Sequence, residues 1–361
     1  MAPSTHQLTI SRTYHEANDI LVVEFDLPTA LRDQFSFEPG QYVTLVLPTA
    51  EGECRRNYSI CSGSSEPLKI GIKRIPGGRL STYAHQYFRV GEQVRVSPPA
   101  GSFVARETSA GRLKTMLIAA GSGITPILSL AKSLLASQQR HEVSLLYGNR
   151  RTTDIAFAEE LLWLKNCHMD RFQWFNFISQ ERQETPLFNG RIDPQKFEQL
   201  SRLSMRWTDF DEYFLCGPAA MVQTLSAFFT RNGVAAQALH QELFYVPDRP
   251  ARVASEPRHP SASTDLGFDT EVLIRHAGRE VTLEIPTDGE SILSAGLQQG
   301  LQLPYSCQGG VCATCKVKVI EGRVAMDVNH TLSDEEVAQG YALSCQAHPL
   351  SRRVVVDYDV I

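Results

Sequence analysis

Four cysteines constrain this chain more tightly than any other feature: Cys307-x4-Cys312-x2-Cys315, then 29 residues, then Cys345. Three thiolates from one loop can wrap one side of a flat inorganic centre, while a fourth arrives from a distant segment. That is a spacing used to hold a [2Fe–2S] cluster. Gly309 and Gly310, between the first two ligands, let backbone N–H groups approach bridging sulfides, with positive φ available to them. Metal bonding keeps such thiols deprotonated. Zinc is the alternative, but structural zinc uses paired two-cysteine knuckles or histidines, and here one C-x2-C is joined to a C-x4-C. The other four cysteines, Cys54, Cys61, Cys167 and Cys216, stand alone.

The opening residues MAPSTHQLTISRTYHE have neither a basic start nor an apolar core, so no secretory leader is expected. Eight cysteines without a leader suit a reducing cytoplasm, where clustered thiols serve metal or redox chemistry. The longest uncharged run, 115–131, is broken by GSGITP and is short for a span, so no membrane segment is expected. A formal charge of −5 gives no support to a nucleic-acid or membrane-surface partner. The charge is uneven, with 13 acids against 7 bases over 267–361. That acidity suits either a basic partner or a solvated surface.

Residues 6–104 carry short β-rich runs punctuated by Pro and Gly, which predicts an antiparallel β-barrel over 1–108. From KTMLIAAG onward, strands alternate with helices, which predicts a doubly wound parallel sheet over 109–246, its last helix closing at Gly233. Residues 247–266, rich in Pro, Ser and charge, predict a linker. The remainder, 267–361, predicts a small α+β domain around the cysteine loop, opening with a hairpin that turns at Ala277-Gly278.

Two upstream stretches have the composition of phosphate sites. RRNYSIC (55–61) and IKRIPGGRLSTY (72–83) offer arginines, a flat tyrosine ring, a serine hydroxyl and a glycine turn whose N–H groups can meet a diphosphate. AAGSGITPILSL (119–130) is a glycine-rich turn from strand to helix, where free N–H groups and the helix dipole favour an anion. Pro126 falls in the first helical turn, where its missing N–H costs nothing. The following strand ends in YGNR, without the acid that binds a free ribose in a dinucleotide fold.

Together these stretches resemble the ferredoxin–NADP⁺ reductase superfamily, in its oxygenase-reductase branch with a C-terminal plant-type ferredoxin (β-grasp) domain. RRNYSI resembles the family's Arg-x-Tyr-Ser flavin motif, GGRLST its pyrophosphate motif, and GSGITP, YGNR and CGPAAM its nucleotide motifs, all in family order. The resemblance implies FAD, with FMN as the alternative, held by Arg56, Tyr58, Ser59, Lys73, Gly78, Arg79, Leu80 and Ser81. It implies NADPH, with NADH as the alternative, held by Gly121, Thr125, Pro126, Asn149, Arg150, Ser179, Gly217 and Pro218. Gln180 stands where NADPH-using relatives place arginine, so Arg150, Arg182 or Arg191 would supply the charge. Phe244 would lie near the flavin face. Ser59, Cys216 and Glu242 would act at the reacting centre, and Cys307, Cys312, Cys315 and Cys345 would bind the cluster.

Electron arithmetic fits this order. A nicotinamide gives up two electrons as hydride, a [2Fe–2S] cluster takes one, and a flavin can accept the pair and release it singly. The implied partner is a separate multi-subunit oxygenase, first a di-iron epoxidase acting on phenylacetyl-CoA. A Rieske-type or steroid hydroxylase, or a hybrid-cluster protein, is the alternative acceptor. A non-catalytic zinc or thiol scaffold is the alternative of a different class.

Overall fold

The computed structural model describes residues 5–17, 19–49, 52–105, 111–203, 205–245, 269–286 and 289–360. The expected linker 247–266 and the expected 108/109 boundary lie outside the described residues. Backbone contacts divide the chain into two compact units, one running from Thr5 to Tyr245 and the other holding the C-terminal part.

The first unit begins with six antiparallel strands: β1 (His6–Glu16), β2 (Ile20–Asp26), β3 (Tyr42–Thr49), β4 (Gly52–Ser59), β5 (Lys69–Lys73) and β6 (Gln93–Val96). Their order is β4-β3-β6-β1-β2-β5, and the two edges meet where Ile60 bridges Ile70 and the Cys61 N–H reaches the Lys69 carbonyl at 2.9 Å. Closure removes exposed edges and encloses an apolar core of residues such as Leu8, Ile10, Val23, Val43 and Ile72. One helix that sequence periodicity does not show, α1 (Arg79–Tyr87), occupies the stretch expected to be a phosphate turn. It turns Leu80, Ser81 and Ala84 inward, so its buried stripe is too mixed to read as apolar.

The parallel sheet follows: β7 (Lys114–Ala120), α2 (Ile124–Ala136), β8 (Glu142–Asn149), α3 (Ala158–Cys167), β9 (Phe172–Ile178), α4 (Pro194–Leu203), β10 (Glu212–Pro218), α5 (Ala219–Arg231) and β11 (Leu239–Tyr245). Strand order is β11-β10-β7-β8-β9, every pair parallel. Side chains alternate between two cores. Leu117, Ala119, Leu145 and Phe214 pack with α2 and α3, while Met116, Ile118, Leu146 and Leu215 pack with α4 and α5. Burial on both faces explains why these strands read as continuous apolar runs. Helix α5 ends just short of Gly233, which takes φ 87° beyond the cap, and β11 adds an edge strand that the alternating sequence pattern does not show.

The second unit contains β12 (Asp269–His276), β13 (Arg279–Pro286), α6 (Ile292–Gln298), β14 (Lys316–Glu321), β15 (Val324–Met326), α7 (Asp334–Ala338), β16 (Tyr341–Leu343), β17 (Ala347–Pro349) and β18 (Arg353–Asp357). The main sheet runs β13-β12-β18-β14-β16, and β15 pairs separately with β17. Ala277 and Gly278 form the two-residue hairpin turn at φ 53° and 71°, and Asp359 accepts hydrogen bonds from both of their N–H groups. No helix among the described residues is long and apolar enough to cross a membrane.

Candidate functional site

Parallel pairing brings the C-terminal ends of β7, β8, β10 and β11 to one side of the sheet, the side on which open α/β sheets bind ligands. Cys216 and Glu242 are register partners on β10 and β11, and Cys216 also pairs with Ala119 of β7. The barrel contributes Ser59 from the end of β4, and its hydroxyl bonds the Glu242 carboxylate. Three residues distant in sequence are thereby joined. Ser59 is 2% exposed and Cys216 wholly buried. Burial of its carboxyl pushes Glu242 up to about 8, against the pull of the Ser59 bond. Burial, then the Glu242 charge, pushes the Cys216 thiol up as well. The Glu242 Oε2 is sealed from solvent, without a hydrogen-bond partner among the described residues.

The turn between β7 and α2 closes against this group. A Cβ on Gly123 would stand 2.3 Å from the Cys216 carbonyl oxygen, so only glycine lets the turn lie there. Thr125, also wholly buried, donates to the Ser122 carbonyl at 3.1 Å, and its methyl fills the space above Gly71 of the barrel. Its hydroxyl therefore holds the turn. Pro126 is buried in the first turn of α2, and Gly121 accepts a 3.0 Å bond from the Tyr147 hydroxyl. Gly217 and Pro218 end β10, Pro218 exposed at the start of α5. At the tip of β8, Asn149 is 7% exposed, yet among the described residues neither atom of its amide makes a hydrogen bond of ordinary geometry, the Tyr147 hydroxyl lying nearby. Buried polar atoms of this kind cost about 1–3 kcal/mol each when unmet. With the sealed Oε2 of Glu242, they fit a site that a bound nucleotide and flavin would complete.

Cations surround the same end. Lys73 of β5 is half-buried, and burial first, then the nearby Arg150 charge, lowers its ammonium from the ordinary value. Two positive groups from two different sheets are thus brought together. Exposed Ser179 bonds the Asn149 carbonyl through its N–H and hydroxyl at 3.0 and 3.2 Å. Glu181, absent from the expected set, accepts from the Thr152 N–H and hydroxyl at 2.8 and 2.7 Å. On the barrel, Tyr58 packs against the core and Arg56 is exposed. Gly78 is the N-cap of α1, with no side-chain cap. The Ser81 hydroxyl accepts from the Ile75 N–H at 3.2 Å and bonds its own turn. Phe244 is half-buried against the core shared by barrel and sheet.

In the second unit the cysteine loop is a set of turns with inward N–H groups. Gln308, Gly310 and Ala313 adopt φ of 55°, 73° and 50°. Gly310 is needed there, since a Cβ would lie 3.0 Å from the Val328 carbonyl, whereas Gly309 has open space. The Cys307 N–H lies 3.4 Å from the Cys312 sulfur and the Gly309 N–H 3.3 Å from the Cys307 sulfur. Gln346, which the cysteine spacing does not single out, donates to the Gln308 carbonyl at 2.9 Å and to the Cys345 sulfur at 3.7 Å. The four thiols come as two pairs. Cys312 hydrogen-bonds Cys307 and holds its thiol below the ordinary value, helped by the N–H groups of Gly309, Val311 and Cys312. Cys315 does the same for Cys345, while Cys312 and Cys315 are pushed up in turn. Among the described residues, no group of three or more His, Cys, Asp or Glu side chains is placed to hold a metal ion. Two thiol pairs fit a binuclear centre better than one tetrahedral zinc, which needs its ligands to converge.

Comparison with known proteins agrees with this layout. Residues 7–104 match the oxidoreductase FAD-binding domain, 117–227 the oxidoreductase NAD-binding domain, and 274–350 the 2Fe-2S iron–sulfur cluster binding domain. The chain is 38% identical to one of the subunits of the 1,2-phenylacetyl-CoA epoxidase of Escherichia coli, covering 98% of each chain. It is 30% identical to the ferredoxin reductase component of 3-ketosteroid-9-alpha-monooxygenase from Rhodococcus rhodochrous, over 97% of this chain and 96% of that one. Among solved structures, phthalate dioxygenase reductase shares the fold, with a TM-score of 0.61 at 24% identity and 98% of each chain covered. The chain therefore belongs to the ferredoxin–NADP⁺ reductase superfamily, as an NAD(P)H oxidoreductase of the oxygenase-reductase branch that carries FAD-binding, NAD-binding and [2Fe–2S] ferredoxin domains.

Proposed function

We propose that this chain is the reductase of a phenylacetyl-CoA epoxidase system, passing electrons from NADPH to the epoxidase one at a time. The observation that carries the partner is the 38% identity to the E. coli epoxidase component across 98% of both chains, against 30% for the steroid and glycine betaine reductases. When bound, the flavin supplies the step from two electrons to one, and the [2Fe–2S] cluster carries single electrons outward. Arg56, Tyr58, Ser59, Gly78, Arg79, Leu80 and Ser81 hold FAD, and Cys307, Cys312, Cys315 and Cys345 hold the cluster. Gly121, Asn149, Gly217 and Pro218 position the nicotinamide nucleotide, while Arg150 neutralises its phosphates. The preference for NADPH is supported by the exposed Arg150 and by Arg182 near the β8 and β9 tips, since guanidinium suits a phosphate. The setting we assign is the cytoplasm, where cluster thiols stay reduced.

Glu242 and Ser59 hold a proton beside the reacting centre. Below about pH 8 the carboxyl is neutral, and above it the charge opposes arriving hydride. Single-turnover flavin reduction by NADPH is therefore expected to be level below about pH 7 and to slow as pH rises through about 8, and Glu242→Gln to flatten the profile. Stability has the same sign. The proton is held more tightly in the folded chain, so this contribution is full below the ordinary carboxylate range and is lost as pH climbs through about 8. A profile in Glu242→Gln that still bends near 8 would remove the role.

The partner is tested by mixing the purified protein with the remaining components of the E. coli epoxidase, NADPH and phenylacetyl-CoA. Epoxide formation that depends on this chain is expected. Failure there, with turnover alongside a steroid or glycine betaine oxygenase, would overturn the assignment.

A further inference from the structure

Gln346 follows the fourth cysteine directly, and its side chain is turned back onto the 307–315 loop. Its amide nitrogen donates to the Gln308 carbonyl at 2.9 Å and to the Cys345 sulfur at 3.7 Å. A carbonyl oxygen can only accept, so the atom facing Gln308 is the NH2 group, and its two hydrogens serve the two acceptors. The backbone fixes where this side chain starts. The Gln346 N–H donates to the Leu343 carbonyl at 2.9 Å, and the Gln346 carbonyl accepts from the Asp327 N–H at 3.0 Å. A Cβ on Gly310 would stand 3.3 Å from the Gln346 Cγ, so the stem lies along the loop. Gln308 holds φ 55°, a conformation that costs a non-glycine residue about 1–2 kcal/mol and calls for an anchor. Gly310 is anchored separately, its carbonyl accepting from the His330 N–H at 3.1 Å and the Thr331 hydroxyl at 3.3 Å. A methionine of similar length would cover Gly310 equally well. What the amide alone adds is a pair of donors, one on the strained corner and one on a ligand sulfur.

We propose that Gln346 is a positioning residue for the cluster, its amide holding the Gln308 corner with one hydrogen and the Cys345 thiolate with the other, so that the reduced centre is favoured. The inference rests on the reading of these cysteines as [2Fe–2S] ligands. Reduction adds one electron and makes or breaks no bond. The added negative charge is shared with the ligand sulfurs, so a donor already aimed at one of them stabilises the reduced form and raises the potential.

The test uses the full-length holoprotein and reads the cluster's midpoint potential by dye-mediated titration followed by electron paramagnetic resonance, with iron and acid-labile sulfide counted beforehand. The resonance reports only loaded chains, so partial loading does not obscure the midpoint. Gln346→Met, which keeps the stem and lacks a donor, is expected to shift the midpoint negative by about tenfold in the reduction equilibrium, which is 59 mV for one electron. Gln346→Glu, which turns carboxylate oxygens on the same two acceptors, is expected to shift it further negative. Gln346→Lys, which keeps an N–H donor, is expected to stay at or above the wild-type potential. An unchanged midpoint in Gln346→Met would overturn the proposal, and so would a Gln346→Lys midpoint as low as that of Gln346→Met. Complete failure of Gln346→Met to load would also overturn it, since the side chain would then serve assembly and not potential. Wild-type protein without two irons and two sulfides per chain would instead overturn the cluster reading itself.

Discussion

Cys345→Ser is expected to yield a protein that still takes up flavin and still reduces ferricyanide with NADPH within about twofold of wild type, yet fails to drive its oxygenase. Flavin and nucleotide groups lie in the unit ending at Tyr245, whereas Cys345 lies in the other, so losing the cluster leaves hydride transfer intact. Cys345 is 9% exposed and sits between β16 and β17, the one ligand that comes from outside the 307–315 loop. Replacing it with serine leaves Cys315 without its thiol partner. Oxygenase-coupled turnover should fall by more than about 100-fold, because a direct ligand matters more than the outer partners whose loss already costs about 10–100-fold. The visible bands of the cluster and its low-temperature resonance signal should vanish with acid-labile sulfide. Retained oxygenase turnover, or a preparation rich in zinc and free of sulfide, would sink the cluster reading.

Gly123→Ala is the second large effect. The added methyl would meet the Cys216 carbonyl oxygen at 2.3 Å, its carbon at 2.6 Å and the Gly217 nitrogen at 3.0 Å, all backbone atoms that cannot swing aside. Relief requires the β7–α2 turn to part from the end of β10. Overpacking of this kind costs about 1–3 kcal/mol in stability. The kinetic effect should be larger, since the turn and Cys216 line the nucleotide end. A displacement of about 1 Å at a reacting centre costs around 100-fold. Single-turnover flavin reduction should fall by about that factor, with the cluster spectrum unchanged. Gly233→Ala provides the comparison. Its φ of 87° makes alanine strained by about 1–2 kcal/mol, but nothing lies within 4 Å of the new methyl. It should lower thermal stability and leave flavin reduction as it was, and equal kinetic losses in both variants would refute the close-approach argument.

How much of this was legible in the sequence depends on how local the cause is. The barrel and parallel-sheet strands are set by burial on one face or two, so their period shows in any window of residues. The cysteine spacing is set by metal geometry and is equally local. By contrast, LHQELFY places apolar residues at a spacing that also suits a helix, and it becomes β11 because β10 offers a free edge. α1 buries a serine and an alanine beside one leucine, which leaves no stripe to read. α7 has a visible cap, Ser333 and Glu336 bonding each other's backbone N–H, but only one turn of helix behind it. At the site, Arg56, Tyr58 and Gly217 were accessible as motif positions. The resemblance put Ser59 and Glu242 at one centre, but the hydrogen bond between them was not legible, because it depends on a barrel strand and the last sheet strand ending at one place. The local bonds of the Ser81 and Thr125 hydroxyls to nearby backbone groups were likewise not visible in the motifs, since they depend on how each turn closes.

The rung that joins Cys216 to Glu242 has a practical meaning for anyone building hybrids of such reductases. A splice placed after α5, where the alternating strand–helix pattern visibly stops, would assign β11 to the wrong parent. The chimaera would then combine one parent's nicotinamide end with another's buried carboxyl, and the proton held there would answer to a barrel it did not evolve with. Cutting beyond Tyr245 keeps the two halves of that rung in the same inheritance.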